Sequence, residues 1–186
     1  MTRLRITELP LAGLRKVTRT SHRDERGCFT RLFCAKELAS AGWTRPITQI
    51  NHSWTRARGT VRGLHFQHPP HAETKLVICI RGVVFDVAVD LRAGSPNFLR
   101  WHGERLAAND GDALLIPEGF AHGFQTLTDD VELVYCHDHH HVPESEGVVS
   151  ALDPIIAIRW PLPIGEMSVR DREAPCLRSD FAGLAP

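Results

Sequence analysis

Glycine and proline recur every few residues through the middle of this chain and cut it into strand-length pieces. The clearest piece is Phe85–Leu91. There Phe85, Val87, Val89 and Leu91 alternate with Asp86, Ala88 and Asp90, the two-residue period of a half-buried strand. Lys75–Arg81 precedes it across Gly82 and is predicted to be its hairpin partner. Ala113–Ile116 is a short apolar strand stopped by Pro117, after which Gly119 allows a tight turn. His122–Leu127 and Val131–Cys136 flank Asp129-Asp130 and are predicted to form a second hairpin. Ala35–Ala41 is predicted to be a short helix. Many short strands joined by turn chemistry predict a mainly β chain, an antiparallel sandwich or barrel with a few short helices. From about Ser179 the composition is tail-like, and that end is expected to be mobile.

Length and charge narrow the function classes. A chain of 186 residues fits one domain, 1–186, with a real core. Its 22 basic and 22 acidic side chains cancel, so no global charge favours nucleic acid or a membrane surface. No apolar run approaches the length that spans a bilayer. The five cysteines are odd in number and form no CxxC pair. With no signal-like segment at Met1–Pro10, reduced thiols in a cytoplasmic protein are expected. Ten of the eleven histidines fall between His52 and His141.

Two histidine motifs stand out. Gly111, five residues, then Pro117-Glu118-Gly119-Phe120-Ala121-His122 resembles the second motif of the cupin barrels, and Gly59, five residues, then His65 resembles the opening of the first. The metal-binding form of the first motif would continue His-x-His, but this chain reads His65-Phe66-Gln67-His68. Around these motifs come, in order, Asp24-Glu25-Arg26-Gly27-Cys28-Phe29, Gln49-Ile50-Asn51-His52-Ser53, Arg62-Gly63-Leu64-His65-Phe66-Gln67, Lys75-Leu76-Val77, Phe85 to Asp90, Ile116 to Phe124, Asp153-Pro154 and Trp160-Pro161. This series, from about Asp24 to Asp171, resembles the dTDP-4-dehydrorhamnose 3,5-epimerase family. The resemblance implies a cupin-like antiparallel jelly-roll barrel and a homodimer whose N-terminal strands help complete the partner's sheet. It also implies a cofactor-independent isomerase acting on a dTDP-linked 4-keto-6-deoxyhexose, in a pathway to L-rhamnose or a related deoxysugar.

Epimerisation beside a ketone needs a base, a stabiliser of the enolate oxygen, and an acid on the opposite face. His65 is the candidate base, because imidazole titrates near working pH. The resemblance pairs it with Asp171 in Ser168-Val169-Arg170-Asp171, which would fix the tautomer; a surface salt bridge with Arg170 or Arg172 is the bland alternative. Lys75 matches the enolate stabiliser, against the ordinary fate of a solvated lysine. Tyr135, the one tyrosine, is the candidate acid, and alternation places it on one face with Val131 and Leu133; a core aromatic is its alternative. His122 is expected near the same polar cluster. Arg26 and Arg62 match positions that grip a diphosphate, Gln49 and Asn51 match sugar or nucleotide contacts, and Phe29 matches a contact to the base. Strict alternation would send Arg62 and His65 to opposite faces of one strand, so a bulge at Gly63 is predicted.

Two departures bear on the substrate. Phe29-Thr30-Arg31 lacks the acidic residue the family tends to carry, and His140-His141-Val142-Pro143 replaces an aromatic Tyr-x-Pro. The rival readings are a single-centre 3- or 5-epimerase on another nucleotide-sugar, a silent sugar-binding cupin or ketoisomerase, and a metal-dependent cupin using His65, Gln67, Glu73 and His122. The last is weakened by glutamine, a poor substitute for the missing histidine ligand.

Overall fold

The computed structural model describes residues 4–185. Residues 1–3 and 186 lie outside these, and with them the start of the Met1–Pro10 segment. The described strands are β1 (Leu4–Glu8), β2 (Arg15–Arg19), β3 (Ser21–Asp24), β4 (Gly27–Thr30), β5 (Gln49–Thr55), β6 (Val61–Gln67), β7 (Lys75–Arg81), β8 (Val83–Asp90), β9 (Trp101–Ala107), β10 (Asp112–Ile116), β11 (Phe120–Thr126), β12 (Val131–His137) and β13 (Glu146–Val148). Two one-turn helices, α1 (Ala35–Leu38) and α2 (Val169–Arg172), complete the elements used below. A 3₁₀ turn over Ala39–Ala41 extends α1, so the expected helix lies where the sequence placed it.

A six-stranded sheet runs β1-β2-β10-β7-β12-β5, and a five-stranded sheet runs β13-β6-β11-β8-β9. All of their pairings are antiparallel. The architecture is the expected jelly roll. Leu114, Leu133, Val77, Leu106 and Phe124 pack between the sheets. Beyond the six-stranded sheet, Leu38 and Trp43 pack on Leu76, Ile78 and Leu115. Beyond the five-stranded sheet, Val149, Ile156 and Leu184 cover Leu64, Val87, Val89 and Leu91.

Both predicted hairpins are overturned by this topology. β7 pairs with β10 and β12, whereas β8 pairs with β11 and β9. Gly82, at φ +75°, carries the chain from one sheet into the other. The Asp129-Asp130 connection likewise crosses from β11 to β12 in the opposite sheet. Local turn chemistry is the same for a hairpin and a crossover, so sequence spacing alone does not separate them. β8 is also not half-exposed. Its polar face points inward, with Asp86 and Asp90 both at 0% exposure, and its apolar face lies under the C-terminal segment. That segment is docked as far as it is described: Leu184 N donates to Leu91 O and Leu184 O accepts from Ala93 N, which corrects the expected mobile end.

Candidate active site

The site grows from two rows of side chains that face each other across the open end of the barrel. On the six-stranded sheet, cross-strand pairing sets Gln49, His137 and Lys75 side by side on β5, β12 and β7, with Asn51 and Tyr135 in the next row. Tyr135 packs with Val131 and Leu133 on the inner face, as its alternation predicts. On the five-stranded sheet, His65 of β6 pairs directly with His122 of β11. The two rows meet where the His122 and Tyr135 rings stand edge to face, 6.1 Å between centroids. Together they line a cleft of about 560 Å³ that also takes in Arg62, Gln49 and Asn51.

Arg62 and His65 both reach this cleft because β6 is irregular between them. Against β11, the register moves from His122↔His65 to Phe124↔Arg62, leaving one extra residue in β6. This is the predicted bulge. Gly63 takes φ +116°, and a Cβ there would lie 2.6 Å from Gly123 Cα and 2.7 Å from His122 O. Two glycines facing each other are therefore what lets the strands close around the irregularity.

His65 Nε2 lies 2.7 Å from Asp171 Oδ1, and Asp171 Oδ2 accepts from Gly63 N at 3.3 Å. Ser168 caps α2 by accepting from Asp171 N at 3.0 Å, so the motif positions the carboxylate by local capping. The surface-salt-bridge alternative for Asp171 does not hold, since the residue is 3% exposed. Burial pushes its carboxyl up, but the bonds from His65 and Gly63 outweigh this and hold it below the ordinary aspartate range. The dyad leaves Nδ1 of His65 as the nitrogen whose lone pair can take a proton.

His122 carries a second dyad, Nε2 to Asp86 Oδ1 at 2.8 Å, with Asp86 Oδ2 buried and unpartnered. Tyr135 Oη lies 3.0 Å from Ser53 Oγ. Burial pushes its hydroxyl far above the ordinary phenol range, and the Ser53 bond offsets only part of that. A phenol so placed stays protonated and is suited to giving a proton. Lys75 is 6% exposed, not a solvated strand-end lysine. Its Nζ pairs with Glu73 Oε1 at 2.8 Å, and Glu73 Oε2 lies 2.9 Å from His137 Nδ1. Burial raises the Glu73 carboxyl, yet the charge of Lys75 and the His137 bond prevail and bring it to about 2.

Gln67, at the position where a metal-binding cupin would carry a ligand, is engaged elsewhere. Its Nε2 donates to His71 O at 2.9 Å and His140 O at 3.2 Å, and its Oε1 accepts from Val142 N at 2.7 Å. The residue staples two connections together rather than offering an oxygen to the cleft. His65 and His122 each commit Nε2 to a carboxylate, and no His, Cys, Asp or Glu trio among the described residues is placed to hold a metal. The donor set therefore does not fit the metal-cupin reading.

Arg26 and Phe29 are not brought to this cleft. They sit on the β3–β4 hairpin in a separate shallow depression, Phe29 at 64% exposure and Arg26 bonded to Asp24 at 2.6 Å. Sequence reasoning also missed cleft residues. Glu73, considered only as a metal ligand, and His137 were signalled by alternation, as Glu73-x-Lys75 and Tyr135-x-His137, and Ser53 by its place two residues after Asn51. Glu146, which pairs with Arg170 at 2.8 Å and His141 at 3.4 Å on the rim, had no such signal.

With this geometry in view, the comparisons with known proteins agree. The sequence profile described as dTDP-4-dehydrorhamnose 3,5-epimerase matches residues 8–179. A dTDP-4-dehydrorhamnose 3,5-epimerase of Mycobacterium tuberculosis is 38% identical over 98% of this chain and 93% of its own. A dTDP-4-dehydrorhamnose 3-epimerase of Streptomyces niveus is also 38% identical, over 98% of this chain and 89% of its own. The crystal structure of a dTDP-6-deoxy-D-glucose-3,5-epimerase from Legionella pneumophila, in complex with dTDP-4-keto-L-rhamnose, superposes with a TM-score of 0.90 at 35% identity, over 97% of this chain and 98% of that one. Fold, cleft and sequence together place this chain in the dTDP-4-dehydrorhamnose 3,5-epimerase family.

Proposed function

We propose that this chain, read as one domain, is an isomerase that inverts C-3 and C-5 of dTDP-4-dehydro-6-deoxy-D-glucose to give dTDP-4-dehydro-L-rhamnose, without a cofactor. The observation that carries this reading is the placement of base and acid on opposite sheets. The His65–Asp171 dyad faces Tyr135 across the cleft, so a sugar ring between them meets a base on one face and an acid on the other. The 4-keto group acidifies both neighbouring carbons, which explains how one base serves two centres. His65 removes the carbon-bound proton, Lys75 and His122 stabilise the enolate oxygen, and Tyr135 returns a proton to the opposite face. Arg62 holds the diphosphate, while Gln49 and Asn51 hold the sugar or nucleotide.

Arg26 and Phe29 enter this scheme only through a second copy. β1 and β5 are sheet edges, and Ile50 and Trp54 on β5 are 62% and 54% exposed. We propose a homodimer in which N-terminal strands extend the other copy's sheet and the β3–β4 hairpin brings Arg26 and Phe29 to the other copy's nucleotide. Free cysteines fit a cytoplasmic biosynthetic enzyme; no helix of the described residues is long and apolar enough to cross a membrane.

The deciding measurement is proton exchange in deuterated water with dTDP-4-keto-6-deoxyglucose, following H-3 and H-5 by NMR. Loss of both signals, abolished in His65→Ala and blocked before net epimerisation in Tyr135→Phe, is expected. Loss of one signal makes the protein a single-centre epimerase, as the Streptomyces niveus relative is named. No exchange at either carbon overturns the reading.

A further inference from the structure

Lys75 is an odd choice of electrophile as it stands, because it is already neutralised. Its ammonium pairs with Glu73 at 2.8 Å, and both side chains are nearly buried, at 7% and 10% exposure. A carboxylate that close offsets much of the field that the ammonium would direct at a developing enolate. Glu73 is in turn held by a group that can change its charge. Its second oxygen lies 2.9 Å from Nδ1 of His137, itself at 9% side-chain exposure.

His137 is enclosed by known neighbours. From β7 comes Lys75 and from β5 Gln49, its two cross-strand partners. From β5 also comes Asn51, whose amide nitrogen is 3.5 Å from His137 Nε2. Along β12 the Tyr135 ring stacks on it with centroids 6.2 Å apart. From the connection ahead of β7 comes Glu73. Asp138, the next residue, is turned to Arg45 Nε at 3.1 Å and Thr74 N at 2.7 Å instead. Glu73 is thus the carboxylate that His137 contacts, and the three side chains form one connected unit.

We infer that His137, acting through Glu73, sets the net charge that Lys75 presents to the enolate oxygen, which makes Glu73 and His137 positioning residues for proton transfer. This rests on the epimerase reading above. With a neutral imidazole the trio carries no net charge. With a proton on both ring nitrogens it carries +1, the complement of the enolate. Proton removal by His65 and charge supply by His137 therefore pull in opposite directions along the pH axis.

Two variants separate the terms. Glu73→Gln keeps the shape and the bond from Nδ1 but leaves Lys75 unopposed, so the unit is already +1 with a neutral imidazole. His137→Gln keeps a donor for Glu73 but cannot gain a proton, so the unit stays neutral. The pH profile of kcat is measured from H-3 and H-5 exchange, with KM alongside. Wild-type kcat is expected to fall about tenfold on the alkaline side, about 1.4 kcal/mol of barrier. Glu73→Gln is expected to hold the upper level through that range, and His137→Gln the lower level throughout, both with little change in KM. Both variants keeping the wild-type profile overturns the inference. A second measurement does not depend on turnover: the His137 imidazole is titrated by NMR in wild type and in Glu73→Gln. A titration displaced to lower pH by the substitution supports the unit, and an unmoved one overturns it. A wild type that exchanges no substrate proton sinks the epimerase reading alone, because the NMR titration still decides whether the trio is coupled.

Discussion

The histidines of two histidine–aspartate pairs lie on neighbouring strands of the same sheet, and the pairs are built differently. His65 and His122 are cross-strand partners, and each gives Nε2 to a carboxylate at 2.7 and 2.8 Å. The His65 side chain is 36% exposed to the cleft, the His122 side chain 8%. Asp171 comes from a helix cap after the barrel and has both oxygens bonded, one of them to the backbone of the bulge. Asp86 comes from the adjacent strand and leaves one oxygen buried without a partner. The same pair of residue types thus makes an accessible, well-braced imidazole in one place and a nearly buried one in the other. Burial and bracing, rather than residue type, distinguish the two. An unpaired buried carboxylate oxygen costs stability, and a residue that keeps one is a candidate for function over folding.

The strongest way to break this comparison is to neutralise each carboxylate in turn. Asp171→Asn is expected to lower kcat by about 10²–10³, because His65 loses the partner that fixes its tautomer, and to lower Tm, because the braced carboxylate adds stability at neutral pH. Asp86→Asn is expected to lower kcat by only about tenfold, with Tm unchanged or raised. Exchange kinetics and thermal melts on both variants check this, and equal kinetic losses would erase the distinction. A smaller effect should follow from Gly63→Ala. The added methyl meets Gly123 and the His122 carbonyl, both backbone, so it should cost on the order of 2–3 kcal/mol in denaturant titration and disturb both dyads together. A loss confined to exchange with unchanged stability would show that the bulge has other room to move.

The smallest difference should appear in acid. The Asp171 carboxyl is held below its ordinary range in the fold, so the stability it adds is fully present above the unfolded value and is lost as pH falls through the folded one. Asp171→Asn should therefore lose less stability than wild type between about pH 4 and the acid end of the folded range. Urea titrations at several pH values measure it. A variant as acid-sensitive as wild type would place the acid response elsewhere, with Glu73 the next carboxylate to test.

How much of this was readable beforehand follows from what each signal encodes. The bulge was legible because Arg62 and His65 could not share a face without one, and Gly63 stood between them. The face of Tyr135 was legible from alternation with Val131 and Leu133. The partners of β7 and β8 were not, because Gly82 turns the chain equally well into a hairpin or across the sandwich. Alternation in β8 gave two faces but not which one lay inside; Asp86 and Asp90 look like solvent-facing residues until their partners His122 and Arg92 are known. His137 was missed, and Glu73 considered only as a metal ligand, for a related reason. Each lies two residues from a predicted site residue, yet nothing local says that β7 and β12 are neighbours. Arg26 and Phe29 were found by motif, but the motif does not reveal that they lie away from their own chain's cleft.

The distance along the chain between the two halves of the His65–Asp171 dyad has a temporal meaning. His65 and its carboxylate are 106 residues apart, and Asp171 follows every strand of both sheets. As the chain is synthesised, every strand of both sheets is complete before Asp171 is reached. A chain at that stage carries Lys75, Tyr135 and His65 and still lacks the group that fixes the imidazole. The carboxylate arrives after the histidine that it fixes, on one capped turn.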